Sequence, residues 1–126
     1  MWILWIVIGC SEPEEDLMPP GPPPEERAVE ILGDLQAAHQ AWLAEDREQA
    51  HLHAQRAYVE HFEPMEPLLR DHDALKTLKL EYRFGQLLAA VQVEEGHVEV
   101  FRTVDIIQTG VTGLVAAVAP SAATPE

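Results

Sequence analysis

The sequence predicts an all-α fold, an antiparallel four-helix bundle preceded by an N-terminal apolar segment and a proline-rich tether. Three observations predict it. Apolar residues recur at three- and four-residue intervals through four stretches of roughly 17–22 residues. Cap or breaker residues separate the stretches: Glu45-Asp46, Glu63-Pro64, Asp71-His72-Asp73 and Glu94-Glu95-Gly96. The chain is 47% hydrophobic over 126 residues, enough for one core and too short for two comfortable ones. The expected layout is a leader over residues 1–9, a tether over 10–26, a helical body over 27–119 and a tail over 120–126.

The first element is Met-Trp-Ile-Leu-Trp-Ile-Val-Ile-Gly-Cys, an apolar run that stops at a small residue and a thiol. Residues 2–8 meet the lower limit for the apolar region of a secretory signal, about 7 residues. Val7-Ile8-Gly9-Cys10 resembles a bacterial lipobox; the first Lys or Arg is Arg27, so either the true start lies upstream or the segment is something else. The resemblance to lipoproteins implies a diacylglycerol thioether on Cys10 and cleavage after Gly9. It also implies a palmitate-type acyl chain on the new amino terminus. Several acyl chains at ~0.8 kcal/mol per buried methylene make such an anchor effectively permanent. Ser11 is not the aspartate that retains lipoproteins in the inner membrane. The implied location is the cell envelope, on the outer membrane facing the periplasm. The competing reading is a buried N-terminal element with a free core cysteine.

Residues 11–26 hold Pro13, Pro19, Pro20, Pro22, Pro23 and Pro24 together with Glu12, Glu14, Glu15, Asp16, Glu25 and Glu26. Dense proline favours extended polyproline geometry and like charges stretch it further. At ~3.1 Å per residue, this spacer holds a body about 40–50 Å from its anchor. A proline-rich ligand for a partner domain is the alternative.

The first helix is expected from about Glu25, with Pro24 at its start and two carboxylates favouring the positive end of the dipole. Ala28, Ile31, Leu35, Ala38 and Trp42 form its stripe. A second helix is expected from Asp46 to Phe62, with Ala50, Ala54, Ala57, Tyr58 and Phe62 on one face. Pro64 ends or kinks it, and a short turn through Leu68 and Leu69 follows. The third runs from the Asp71-His72-Asp73 cap to about Val93. It carries two stripes, Leu75, Leu78, Tyr82, Gly85 and Ala89, then Leu80, Phe84, Leu87, Leu88 and Val91. Two apolar sides predict a central helix packed between neighbours. The fourth spans about His97 to Val118, with Val100, Val104, Ile107, Val111, Leu114 and Val118 on one side. Its many β-branched residues keep a strand reading open. Residues 106–119 are expected to be the most buried part of the body. Gly110 and Gly113 offer a face for a second copy, hence a homodimer.

Charge and composition narrow the function. With 22 acidic and 8 basic residues the net charge is −14, which argues against a nucleic-acid surface. One cysteine excludes an intrachain disulfide framework and an all-cysteine zinc site. No run reaches the roughly 18–20 apolar residues that span a bilayer, which argues against a channel or transporter. No phosphate loop, nucleophile elbow or H-E-x-x-H motif occurs, so a non-enzymatic module that binds an envelope protein is expected.

Metal binding is the one chemistry with candidate ligands. Imidazole and carboxylate donors suit ferrous or ferric iron. His53, Glu60 and Glu63 fall at i, i+7 and i+10 on one helix, and Glu63 and Glu66 flank Pro64 with Glu81 opposite on the next helix. The plainer reading of Glu63-Pro64-Met65-Glu66 is a helix start, with proline first and a carboxylate near the exposed amides. His51 and His53 lie two apart and do not chelate together.

Ala57-Tyr58, Phe62-Glu63-Pro64-Met65-Glu66-Pro67-Leu68-Leu69-Arg70, Asp73-Ala74-Leu75 and Leu80-Glu81-Tyr82-Arg83-Phe84 resemble the extracytoplasmic helical domain of some bacterial high-affinity iron permeases. The resemblance covers under a third of the chain. It implies a periplasmic body associated with iron uptake, with Glu63, Glu66 and Glu81 at the matching acidic positions. The family's Arg-Glu-x-x-Glu permeation motif is absent: Arg47-Glu48 is followed by Gln49-Ala50-His51. What remains is an accessory or sensing role.

Overall fold

The computed structural model describes residues 21–93 and 97–119. Cys10, most of the tether, the turn at Glu94, Glu95 and Gly96, and the tail from Pro120 lie outside the described residues. Every element among the described residues is helical: α1 (Pro24–Leu43), α2 (Arg47–Arg56), α3 (Glu66–His72), α4 (Ala74–Ala90) and α5 (His97–Val118). A π-helical segment Ala57–Phe62 and a 3-10 turn Glu63–Met65 join α2 to α3. The strand reading of the last stretch is therefore excluded, since three- and four-residue apolar spacing outweighs β-branched content.

Local chemistry explains the boundaries. Pro24 sits in the first turn of α1 with Glu25 and Glu26, where a missing N–H costs nothing. Asp46 caps α2 by accepting from the Gln49 N–H at 3.1 Å, and Asp73 caps α4 through the Lys76 N–H at 3.1 Å. Glu45 between α1 and α2 takes a left-handed φ of 65°, which lets the chain reverse there.

The second helix, expected to stay regular as far as Phe62, leaves α geometry after Arg56, and the form of the departure follows from lost donors. Pro64 cannot give an N–H to the Glu60 carbonyl. That oxygen accepts instead from Arg27 Nη1 at 2.9 Å, and the Glu63 N–H reaches back five residues to Tyr58. Pro67 likewise leaves the Glu63 carbonyl to the Glu66 N–H in a 3-10 turn.

α1 packs on α2, on the π-helical segment and on α5, while α4 packs on α5 and more lightly on α2. Ile31, Leu35 and Ala38 of α1 meet Ala50, Ala54 and Ala57, the small residues permitting close approach. Phe62, Phe84 and the half-buried Tyr58 form a ring cluster with centroids 5.0 to 5.9 Å apart. Val100, Val104, Ile107, Val111 and Leu114 supply the α5 side of the core, in the expected row. Each large aliphatic side chain so buried contributes about 1.5–3 kcal/mol.

Two expectations need correction. α4 is not sandwiched: its second stripe is buried, but Leu75, Leu78 and Tyr82 of the first are 62, 58 and 65% exposed. Periodicity registers apolar character and carries no information about whether a neighbour covers it. Residues 106–119 are not uniformly buried either, since Thr109, Thr112, Gly113, Ala116 and Ala117 face outward. Residues 98–118 form the one described helix long and apolar enough, by length and composition, to cross a membrane. Only 39% of its apolar window is buried in the protein. Gly110 is used inside the fold, because a Cβ there would lie 2.7 Å from Leu80 Cδ2.

Candidate functional site

Two clusters of charged side chains form, and they divide the sequence-predicted residues between them. The first joins α3 and α4. Arg70 Nη2 donates to Glu66 Oε1 at 3.1 Å and to Glu81 Oε2 at 3.5 Å, so one guanidinium links two of the expected carboxylates. Glu66 Oε2 is buried with no hydrogen-bond partner among the described residues. Burial, then the Glu81 carboxylate beside it, pushes the Glu66 carboxyl up to about 7, with Arg70 opposing and Glu63 adding. Burial also pushes the Tyr58 hydroxyl up to about 12, helped by the negative charges of Glu66, Glu63 and Glu81. Glu63, Glu66 and Glu81 are thus brought to one neighbourhood around Tyr58 and Arg70.

The shift of Glu66 has a measurable sign. The folded state holds its proton more tightly than the unfolded chain, whose ordinary value is 4.5. Stability from this group is therefore full below about 4.5 and is lost as pH rises through about 7. Replacing Glu66 by glutamine removes that titration. Relative to the variant, the native chain should lose about 1–2 kcal/mol over this window, after allowing for screening by the water that reaches the Glu66–Arg70 pair. Urea midpoints of both proteins across the window measure the difference. Parallel pH profiles would show that the Glu66 environment does not favour the proton.

The second cluster, between α1 and α2, centres on a residue that the sequence reading passed over. Asp34 is 7% exposed, and its carboxylate is met by His53 Nδ1 at 3.2 Å, Arg56 Nη2 at 3.2 Å and His61 Nε2 at 3.8 Å. His61 Nδ1 is buried with no hydrogen-bond partner among the described residues. His53 therefore serves Asp34 and does not join Glu60 and Glu63. The physical reason is the π-helical turn, which delays the register by about one residue. His61 at i+8 takes the place that Glu60 at i+7 would hold in a regular helix, and Glu60 is exposed. A signal for Asp34 did exist: it lies one position before Leu35 on the core stripe, where a carboxylate needs a cationic partner.

Among the described residues, no group of three or more His, Cys, Asp or Glu is arranged to hold a metal ion. Arg70 lies between the converging Glu66 and Glu81 carboxylates of the first cluster, and the second holds a single carboxylate, Asp34, already paired with Arg56. Family models, curated proteins and solved structures offer no match to the chain. None of the three comparisons links the chain to the iron-permease domain expected from residues of roughly Ala50–Leu88.

Proposed function

We propose that the chain is a lipid-anchored, non-enzymatic helical module of the cell envelope that binds a protein partner, its body tethered to the outer membrane on the periplasmic side. The observation that carries this reading is the placement of the only cysteine. Cys10 closes the apolar run at Val7-Ile8-Gly9, and an acidic proline-rich segment separates it from the start of α1 at Pro24. The body is read as an antiparallel four-helix bundle. In support, Arg27 meets Glu60, Asp34 meets Arg56, His39 rings against Phe101 at 5.6 Å, and Gly110 faces Leu80. A homodimer through the outward Gly113 side of α5 remains part of the proposal.

Metabolic labelling with a palmitate analogue tests the anchor. Wild-type chain in its native host should take up label and fractionate with the envelope, and Cys10→Ala should lose both. Equal labelling of the two proteins, or none on wild type, ends the reading.

The second reading is an accessory protein of iron uptake that binds or senses the metal. It is favoured by the convergence of Glu63, Glu66 and Glu81 near Tyr58, where burial first and the neighbouring Glu81 second raise the Glu66 carboxyl. Calorimetric titration with ferrous, ferric, zinc and cupric ions separates the two readings. The binding-module reading expects nothing tighter than about millimolar, roughly −4 kcal/mol. Micromolar binding of iron that Glu66→Ala weakens at least tenfold would establish the metal reading.

A further inference from the structure

The exposed side of α4 carries two adjacent rows that the core does not use. Leu75, Leu78 and Tyr82 form one, each more than half exposed, at the spacing of a single helix face. Lys76, Lys79 and Arg83 form the other, one position further round. Lys76 and Lys79 are the only lysines in the chain, and among the described residues neither they nor Arg83 is ion-paired. Arg83 donates to the neutral Gln86 side chain at 2.8 Å and keeps its charge uncompensated. The three cations also line a groove of about 230 Å³ between α4 and α5, together with Leu80, Ile106 and Gly110. In a chain of net −14, this is a concentrated positive strip beside an apolar one.

We propose that this face of α4 lies on a bilayer surface containing anionic lipid. Leu75, Leu78 and Tyr82 enter the boundary between headgroups and acyl chains, which removes their apolar surface from water. The lysine stems run along the apolar surface while their ammonium groups reach lipid phosphates. Tyr82 combines an apolar ring with a hydroxyl and suits the same depth. The shape favours a plane over a protein cleft: the apolar row lies on the crest of an outward helix, and the groove beside it is open. The acidic remainder of the surface is repelled by anionic lipid, so the charge pattern also fixes which side faces the membrane. This deepens the envelope reading by assigning the face that meets lipid, and it needs no acyl chain on Cys10.

The test uses the full chain carrying Cys10→Ala, which removes the thioether. It is sedimented with vesicles of phosphatidylcholine alone or with one third phosphatidylglycerol, at low salt. Partition of the apolar residues 2–8 is common to both vesicle types, so the ratio of affinities reads the charged face. About tenfold tighter binding to the anionic vesicles is expected. Lys76→Gln/Lys79→Gln/Arg83→Gln should abolish the preference, and Leu75→Ser/Leu78→Ser should weaken binding to both vesicles. Apart from the half-buried Arg83 these side chains face solvent, and unchanged helical dichroism of each variant verifies the fold. Absence of an anionic preference, or a preference that the triple variant retains, overturns the proposal. So does complete competition by polyglutamate with no effect of the leucine changes, which assigns the face to an acidic protein. The anchor stands or falls separately on the labelling of Cys10.

Discussion

Phe84→Ala is expected to cost about 4 kcal/mol and to lower the melting temperature by roughly 20 °C. Phe84 is fully buried, and its ring lies 5.0 Å from Phe62 and 5.1 Å from Tyr58 by centroid. Truncation forfeits its transfer energy and opens a space at the joint of the π-helical segment with α4. The rings around it are held by a proline-interrupted backbone, so collapse into the gap is limited. Tyr82→Ala, two residues away on the exposed row, supplies the control and should shift stability by no more than about 0.5 kcal/mol. Urea titration with unchanged m separates the two. Equal costs at both positions would mean that α4 presents a different face to the core.

The second large effect concerns Asp34. Asp34→Ala removes the carboxylate that accepts from Arg56 and lies against His53 and His61, and should destabilise the protein by about 2–3 kcal/mol at neutral pH. The lower part of that range is favoured because the Arg56 side chain is 44% exposed and regains water. Arg56→Ala alone should cost clearly less than Asp34→Ala, since both histidines remain against the carboxylate and the guanidinium is open to water. In the double variant the two costs should not add: the Arg56 change should matter little once Asp34 is gone. Simple additivity, measured by the same denaturation, would show that the two side chains act independently.

These two positions mark how differently the sequence discloses its features. Phe84 stands in a stripe with Leu80 and Leu87, so its burial was legible from spacing. Asp34 was not, because a carboxylate beside an apolar stripe looks like a solvated residue until the partner helix is placed. The candidate ligands split in the same way. Glu66 and Glu81 meet as expected from a kink at Pro64, and Arg70 between them is the residue that the spacing argument omitted. His53 and Glu60 separate because seven residues in a regular helix and seven across a π-helical turn end on different sides.

The helices, their caps, the reversal at Glu45 and the proline break were determined by the sequence alone. Each depends on groups within a few positions of one another: a missing N–H, a capping oxygen, a repeat of apolar residues. Tertiary structure alone decided which stripe of α4 is covered, which cations stay unpaired, and which carboxylate gathers the histidines. Those outcomes depend on what stands opposite in space, and burial and charge pairing are properties of two surfaces rather than of one.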